Sequence, residues 1–294
     1  MASGISGRTR VCGIFGYPLE HTFSPAMHNA AFEAAGLDFV YLPFPVAPDG
    51  LEQAVAAVRA LGLAGVNVTI PHKEAVLPLL DQLSEEARLI GAVNTIVNRN
   101  CSGRLRGENT DGRGFLRSLK TAAGFEPAGK TVLLLGAGGA ARAVAVQLAL
   151  AGVRKITLTN RSQVRAAEMA ADLRTGTGIP AEVLSWPGPE ELLPGEALRS
   201  ADLVVQATSL GMYPGCAQTI PLPYNLFRPG QVACDLVYNP ARTEFLKRAG
   251  QAGAAAVGGT GMLLYQGALA FELWTGRDAP LETMERALLK AILK

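Results

Sequence analysis

The stretch that most constrains this chain is Thr131-Val-Leu-Leu-Leu135, which runs without a break into Gly136-Ala-Gly-Gly-Ala-Ala141. An apolar, strand-forming run, a glycine turn and an Ala-rich helix make the first half of a β-α-β unit. The next apolar run, Lys155-Ile-Thr-Leu-Thr159, arrives at the spacing that unit needs. Such units build a parallel sheet covered by helices. Glycine by itself marks many tight turns, so the flanking strand and helix carry the reading. In that setting the turn brings backbone N–H groups at a helix start within reach of a pyrophosphate, which makes it a dinucleotide site. Gly136 permits the turn, Gly138 permits close approach of the phosphates, and Ala141 supplies the small residue where helix meets strand.

The end of the second strand then chooses between dinucleotides. A cofactor with a free ribose 2′-hydroxyl usually meets an Asp or Glu there. This chain has Asn160-Arg161-Ser162, with Arg165 one helical turn further on. Arg161 offers a planar fork of donors suited to a 2′-phosphate, and Asn160 and Ser162 can donate to the same group. The pattern predicts NADP(H). Two bland roles stay open on sequence alone: Asn160 as a helix cap beside an exposed Arg161, and Arg142, in the first turn after the glycines, as either a phosphate contact or a solvated side chain.

Composition excludes several classes. The 27 basic and 25 acidic residues leave a net charge of +2 over 294 residues, which argues against a nucleic-acid-binding surface. The four cysteines form no CxxC, so a disulfide framework is not expected and a reducing, cytoplasmic setting fits better. No apolar leader precedes Cys12. Ala252 to Phe271 is the least polar stretch, but five glycines and Gln266 interrupt it, and it reads as packed loop and helix rather than a membrane span. His21, His28 and His72 show no metal-ligand spacing, so no metal is expected, and all three read as polar loop or helix-surface residues. There is no Tyr-x-x-x-Lys of the short-chain dehydrogenase type.

Along the first half, apolar runs at Val11–Phe15, Phe39–Leu42 and 65–70 read as strands. They alternate with helices that begin at Ser24-Pro25, with Ser24 as N-cap, and at Leu51. A further strand is expected over 90–97, then a polar turn at 98–103 and a linking helix over 111–123. The second half continues with strands at 131–135, 155–159, 181–185, 203–207 and 231–235. Helices separate the earlier of these, and the residues from Gly259 onward are expected to be helical. The fold expected is two-domain α/β: an N-terminal α/β substrate domain and a Rossmann-like dinucleotide-binding domain, with a cleft between them.

Four polar segments of the first half stand at strand ends or glycine turns: His21-Thr-Phe-Ser-Pro25, Asn67-Val-Thr-Ile-Pro-His-Lys73, Gly91-Ala-Val-Asn-Thr95 and Asn109-Thr-Asp111. Asn67 and Thr69 alternate along a strand and face one side, opposite Val68 and Ile70. Polar groups inside an apolar sheet need partners. Lys73 follows the Pro71 break, at the sheet's end where α/β ligand sites form. A surface role for Lys73 and an N-cap role for Asp111 remain open at this level.

These segments, in this order and spacing, resemble the shikimate/quinate dehydrogenase family over almost the whole chain. The resemblance also rests on Gly16-Tyr-Pro18, His28-Asn29, Asn109-Thr-Asp111-Gly-Arg-Gly114, Ala207-Thr-Ser-Leu-Gly-Met212, Asp235-Leu-Val-Tyr-Asn-Pro240 and 259–266. It implies reversible reduction of 3-dehydroshikimate to shikimate by NADPH, in aromatic amino-acid (chorismate) biosynthesis. Lys73 and Asp111 would be the catalytic pair. Thr22, Ser24, Asn67, Thr69, Asn94, Tyr238 and Gln266 would bind substrate. Gly136, Ala137, Gly138, Gly139, Ala140, Asn160, Arg161, Ser162, Thr208, Gly259 and Met262 would bind cofactor.

The resemblance further implies a substrate domain of residues 1–115 completed by C-terminal helices 259–294, with an NADP domain over 116–258. The partner expected is a small-molecule substrate, with no nucleic acid or membrane, in a monomer or homodimer. Two positions depart from the family pattern: Thr22, where a serine is usual, and Gln206, where an asparagine is usual. Thr22 keeps a quinate/shikimate dehydrogenase able to use NAD as the rival enzyme. A non-catalytic NADP(H)-binding sensor is the rival of another class.

Overall fold

In the computed structural model, which describes residues 4–20, 22–188 and 190–293, the first apolar run becomes strand β1 (Arg10–Gly16). Helix α1 (Ser24–Ala34) follows, then strand β2 (Phe39–Pro45), helix α2 (Leu51–Ala60) and strand β3 (Gly65–Val68). The three strands pair in parallel in the order β2-β1-β3, with Ile14 beside Asn67. Strand β4 (Gln82–Leu83), helix α3 (Glu85–Ile90), and strands β5 (Thr95–Asn98) and β6 (Leu105–Glu108) complete a mixed six-stranded sheet, β2-β1-β3-β5-β6-β4. In it β3–β5 and β5–β6 are antiparallel. Phe15, Val55, Val58, Val66, Val68 and Ile96 are among the side chains of its core.

Several local expectations are corrected here. The strand placed over 90–97 begins only at Thr95: α3 runs to Ile90, and Gly91, with φ of 69°, closes it in the left-handed conformation that glycine adopts without steric cost. The short strands β4 and β6 were not anticipated, since two to four residues carry too little periodicity to read. Strand β3 ends at Val68, and Ile70 is 74% exposed rather than buried opposite Asn67. The backbone hydrogen bonds to the β1 side continue through Thr69 and Ile70, but past the sheet's end the Ile70 side chain is exposed. Ser24 is the first helical residue and not the cap: Phe23 holds the cap position, with no side-chain cap bond.

The second unit is Asp111–Leu263, and the first joins Met1–Thr110 to Leu264–Lys294. The second opens with helix α4 (Asp111–Ala123), strand β7 (Thr131–Leu135), helix α5 (Gly139–Leu150), strand β8 (Lys155–Thr159) and helix α6 (Gln163–Thr177). Strand β9 (Ala181–Leu184), helix α7 (Gly195–Ser200), and strands β10 (Leu203–Gln206) and β11 (Val232–Asp235) follow. Helix α8 (Glu244–Gln251) and strand β12 (Ala255–Val257) close the sheet. All six strands are parallel in the order β12-β11-β10-β7-β8-β9. That is a doubly wound sheet whose order reverses at β7, where such sheets bind nucleotides.

Two last helices, α9 (Thr260–Thr275) and α10 (Leu281–Ile292), end the described chain. From Leu264 onward they belong to the first unit. Helix α10 packs on α1 and buries Met284 and Leu288. Trp274 of α9 donates from Nε1 to the Ile96 carbonyl at 3.0 Å. Gly65 lies so close beneath it that an added Cβ would stand 2.3 Å from that nitrogen.

His28 and His72 are not the surface residues expected. His28 is fully buried and His72 is 1% exposed, with its Nε2 2.7 Å from the Val46 carbonyl; His21 lies outside the described residues. His28 stacks on Tyr41 with ring centroids 4.4 Å apart and 8° between planes, and Trp274 lies 5.3 Å away. Neither ring nitrogen of His28 has a hydrogen-bond partner among the described residues. Burial therefore lowers its pKa to about 3. The unfolded chain binds this proton below about pH 6.5 and the folded chain only near 3, so stability falls as pH drops through that window. The loss at pH 5 is about 2 kcal/mol from this residue. Replacing His28 by Phe should narrow the difference in unfolding free energy between pH 7.5 and pH 5 by that amount in urea titrations. Parallel pH profiles for the two proteins would refute the account.

Candidate active site

The first unit gathers its polar residues around the ends of β3 and β5. Asn67, 5% exposed, lies directly opposite Thr95 across the antiparallel pair. Its Nδ2 donates to Thr95 Oγ1 at 3.1 Å and to the Asn94 carbonyl at 3.2 Å, and its Oδ1 accepts from the Tyr41 hydroxyl at 2.7 Å. Thr95 Oγ1 donates to Asn94 Oδ1 at 3.0 Å, and the Thr110 backbone N–H donates to the same oxygen at 2.8 Å. Asn94 Nδ2 reaches Thr110 Oγ1 at 2.9 Å. The sequence-predicted residues Asn67 and Asn94 are thus joined in one network. Tyr41, Thr95 and Thr110, its other members, were given no role beforehand, because a lone Tyr or Thr gives no signal apart from its partners.

Ser24 is buried and hydrogen-bonds the Tyr41 phenol, whose pKa burial raises well above its ordinary value. Thr22 lies two residues before it, and its Oγ1 accepts from the Ser24 N–H at 3.4 Å. Thr69 is half-buried with its methyl group over Gly16. Lys73 is half-buried after the end of β3, and its carbonyl accepts from Val93 N–H at 2.8 Å, which ties it to the Asn94 turn. Gln266 is 9% exposed on α9.

The second unit builds its site at the carboxyl ends of β7, β8, β10 and β11. Gly136 has φ of 119°, and an added Cβ would fall 2.9 Å from the Ala207 carbonyl oxygen, so only glycine fits. Gly138 caps α5 with an ordinary backbone conformation, and an added Cβ at Gly138 or Gly139 would meet, beyond its own turn, no atom of the described residues within 4 Å. Open space in front of a helix N-terminus fits a pyrophosphate, and the structure offers it there. Ala137 and Ala140 lie within the same turn and first helical residues. Arg142 is committed elsewhere: its Nη1 pairs with Asp172 Oδ2 at 2.5 Å.

At the end of β8, Ser162 rather than Asn160 caps α6, accepting from Arg165 N–H at 3.4 Å. That bond uses the serine oxygen as acceptor and leaves its hydroxyl hydrogen as a donor. Asn160 Nδ2 donates to the Ser162 carbonyl at 3.0 Å, and Arg161 is exposed. A turn of Asn, Arg and Ser with no carboxylate suits a phosphate.

Gln206, the departure at the end of β10, holds the loop that follows. Its Oε1 accepts from Thr208 N–H at 2.5 Å, its Nε2 donates to the Leu210 carbonyl at 2.8 Å, and its side chain also hydrogen-bonds Asp235. The longer amide therefore satisfies a whole turn. Asp235, fully buried at the end of β11, accepts from Thr243 Oγ1 at 2.5 Å and Val237 N–H at 2.9 Å. Burial pushes its carboxyl up to about 6, against the pull of those donors. Tyr238 is half-buried, which raises its phenol above the usual range. Gly259 has the Leu236 carbonyl 2.4 Å from where its Cβ would stand, and Met262 is half-buried three residues on. Among the described residues no group of three or more His, Cys, Asp or Glu could hold a metal, and no helix is long and apolar enough to cross a membrane.

A doubly wound sheet with a glycine turn and a phosphate-suited second strand, in one chain with a mixed α/β unit that holds a buried amide network, defines a two-domain nicotinamide-nucleotide oxidoreductase. Three family models cover the chain in turn. They are the shikimate dehydrogenase substrate binding domain at residues 14–96, shikimate/quinate 5-dehydrogenase at 119–212, and the shikimate 5′-dehydrogenase C-terminal domain at 259–289. The NADP(+)-type shikimate dehydrogenase of Desulforamulus reducens is 53% identical over 290 residues, covering 99% of this chain and 98% of that one. A crystal structure of a shikimate dehydrogenase with NADP+ matches with a TM-score of 0.91 at 38% identity, covering 99% of both chains. The shikimate 5-dehydrogenase of Thermus thermophilus, with NADP(H) and shikimate, matches with a TM-score of 0.84 at 40% identity, over 96% of this chain and 100% of that one. The chain belongs to the shikimate dehydrogenase family.

Because the space before Gly138 is open, Gly138→Ala should keep the melting temperature of the parent yet weaken NADP(H) binding about tenfold or more, read by fluorescence titration. Unchanged NADP(H) affinity would show that no phosphate approaches that backbone.

Proposed function

We propose that Lys73 and Asp111 carry the chemistry of an NADP(H)-dependent shikimate dehydrogenase. The chain catalyses reversible reduction of 3-dehydroshikimate to shikimate in aromatic amino-acid biosynthesis. The observation that carries this reading is the buried Tyr41–Asn67–Thr95–Asn94 network. It is an array of amides and hydroxyls suited to a polyhydroxylated ring, in a chain whose other half carries a dinucleotide turn. When bound, NADPH supplies the hydride.

In the proposed mechanism the C3 oxygen gains negative charge during reduction, and the Lys73 ammonium stabilises that charge and delivers the proton. In the oxidative direction Lys73 takes the proton back. Asp111, which opens α4 and is 5% exposed, holds a neighbouring hydroxyl and orients the lysine. Asn67, Thr69, Asn94 and Gln266 bind the ring hydroxyls, Thr22 and Ser24 the carboxylate, and Tyr238 lies beside substrate and nicotinamide.

On the cofactor side, residues 136–140 receive the pyrophosphate, and Asn160, Arg161 and Ser162 receive the 2′-phosphate. Thr208, Gly259 and Met262 complete the cofactor contacts. We propose a cytoplasmic enzyme acting as a monomer or homodimer.

Steady-state rates with shikimate and quinate, each with NADP+ and NAD+, test the assignment. Shikimate with NADP+ should give the highest kcat/KM, and a quinate–NAD+ preference of more than about tenfold would overturn it. Lys73→Ala should lose about 10²-fold or more in kcat while NADP+ binding persists, whereas a binding protein without catalysis would show no turnover to lose. Arg161→Ala should raise the KM for NADP+ about tenfold and change that for NAD+ little.

A further inference from the structure

The hydrogen bonds around Asn67 have a forced direction. The Asn94 carbonyl can only accept, so the Asn67 amide must turn its nitrogen toward it and its Oδ1 toward Tyr41. Tyr41 then donates to that oxygen, and the Ser24 hydroxyl, which also bonds the phenol, is its donor. At the other end the Thr110 N–H can only donate, which fixes Asn94 Oδ1 as an acceptor and makes Thr95 the donor to it. Donation therefore runs one way, from Ser24 to Tyr41, Asn67, Thr95 and Asn94. His28, flat against Tyr41 and without a hydrogen-bond partner of its own among the described residues, holds the phenol ring in the plane this chain needs.

Both Nδ2 hydrogens of Asn67 are engaged inside the protein, at 3.1 and 3.2 Å. What remains is the second lone pair of Oδ1. We propose that Tyr41 and Thr95 are positioning residues of the substrate site: they hold in place the Asn67 amide that the Asn94 carbonyl orients, so that it meets its ligand as a hydrogen-bond acceptor. This position then selects a ring hydroxyl and rejects a group of similar size that cannot donate. The proposal rests on the functional reading above and adds to it the polarity of one contact.

The test uses shikimate and two analogues in which the hydroxyl at C4 or at C5 is replaced by fluorine, which cannot donate. With the wild-type enzyme one of the two analogues should lose about 10²-fold in kcat/KM, since the buried Asn67 oxygen is left facing a non-donor. Asn67→Ala should abolish that penalty. Tyr41→Phe should raise the KM for shikimate about tenfold, leave the KM for NADP+ within twofold, and reduce the fluorine penalty about tenfold. A role in folding alone would instead lower turnover of shikimate and analogue equally.

If Tyr41→Phe does not fold, Thr95→Val probes the same amide from its other side, and the wild-type analogue series stands without any variant. Equal handling of shikimate and both analogues by the wild type would overturn the proposal. Absence of turnover with shikimate itself would instead overturn the functional reading. In that case calorimetric binding of shikimate and its analogues to the wild type still reads the donor requirement, and equal affinities would sink it.

Discussion

An amide buried between Val66 and Val68 in a sheet must have every donor met, and the first unit is organised around that requirement at Asn67. Leaving a buried amide unpaired costs about 1–3 kcal/mol, a large fraction of a domain's net stability. Strand β5 answers it by pairing with β3 in the register that puts Thr95 opposite Asn67. The turn before β5 answers it a second time, because the Asn94 carbonyl accepts from both the Val68 N–H and the Asn67 side chain. The switch from parallel to antiparallel pairing at β3 is thus also the point where polar side chains enter the sheet. The aromatic layer of His28, Tyr41 and Trp274 closes over it.

The second unit meets the same constraint at its strand ends, with backbone after β7 and with side chains after β10 and β11. Its strands are almost wholly apolar, and chemistry begins only where each strand ends. At the end of β7 the Gly136 N–H bonds the Thr159 carbonyl at 2.8 Å, and the chain turns through a conformation and a gap that only glycine tolerates. At the ends of β10 and β11 the polar residues Gln206 and Asp235 are buried, and each is consumed in holding its own loop. Asp235 retains a raised carboxyl because two donors and an amide do not fully replace lost hydration. Below about pH 4 that group favours the folded state, and the contribution fades as pH rises through 6, opposite in sign to the effect of His28.

The parts of this architecture that sequence made legible are those with a local cause. The β7–α5–β8 unit could be read because five apolar residues, a glycine turn and a long helix each speak for themselves within a few positions. Helix α4 could be read with its bounds for the same reason. What could not be read has a non-local cause. Ile90 is an exception: its helix has local signals in the Ser84 cap and Gly91, but six residues of helix are too short for periodicity to separate from the apolar run that follows. His28 looks polar until Tyr41 and Trp274, both distant in sequence, close on it. Asn67 and Asn94 stood out as polar residues in apolar runs, whereas Tyr41 and Thr95 have ordinary strand character, and only pairing reveals that they connect the other two.

At the proposed carboxylate end the two assigned residues, Thr22 and Ser24, are hydroxyls rather than arginines. Thr22 and Ser24 are neutral, and they stand at the start of α1, where Pro25 in the first turn removes one N–H and the helix dipole favours negative charge. A guanidinium in such a place would hold any anion tightly, substrate and product alike, and uniform binding of that kind does not accelerate the chemical step. Two hydroxyls and a helix end bind more weakly and orient the ring through geometry instead. The methyl group of Thr22 then acts by shape alone: it narrows the space at that end without changing its charge or its hydrogen-bonding chemistry, because its Oγ1 still accepts from the Ser24 N–H. On the proposed reading, discrimination among closely similar ring acids at this end would rest on van der Waals fit, worth about 1–3 kcal/mol per methyl-sized difference, while the stricter selection would fall to the hydroxyl proposed to face Asn67.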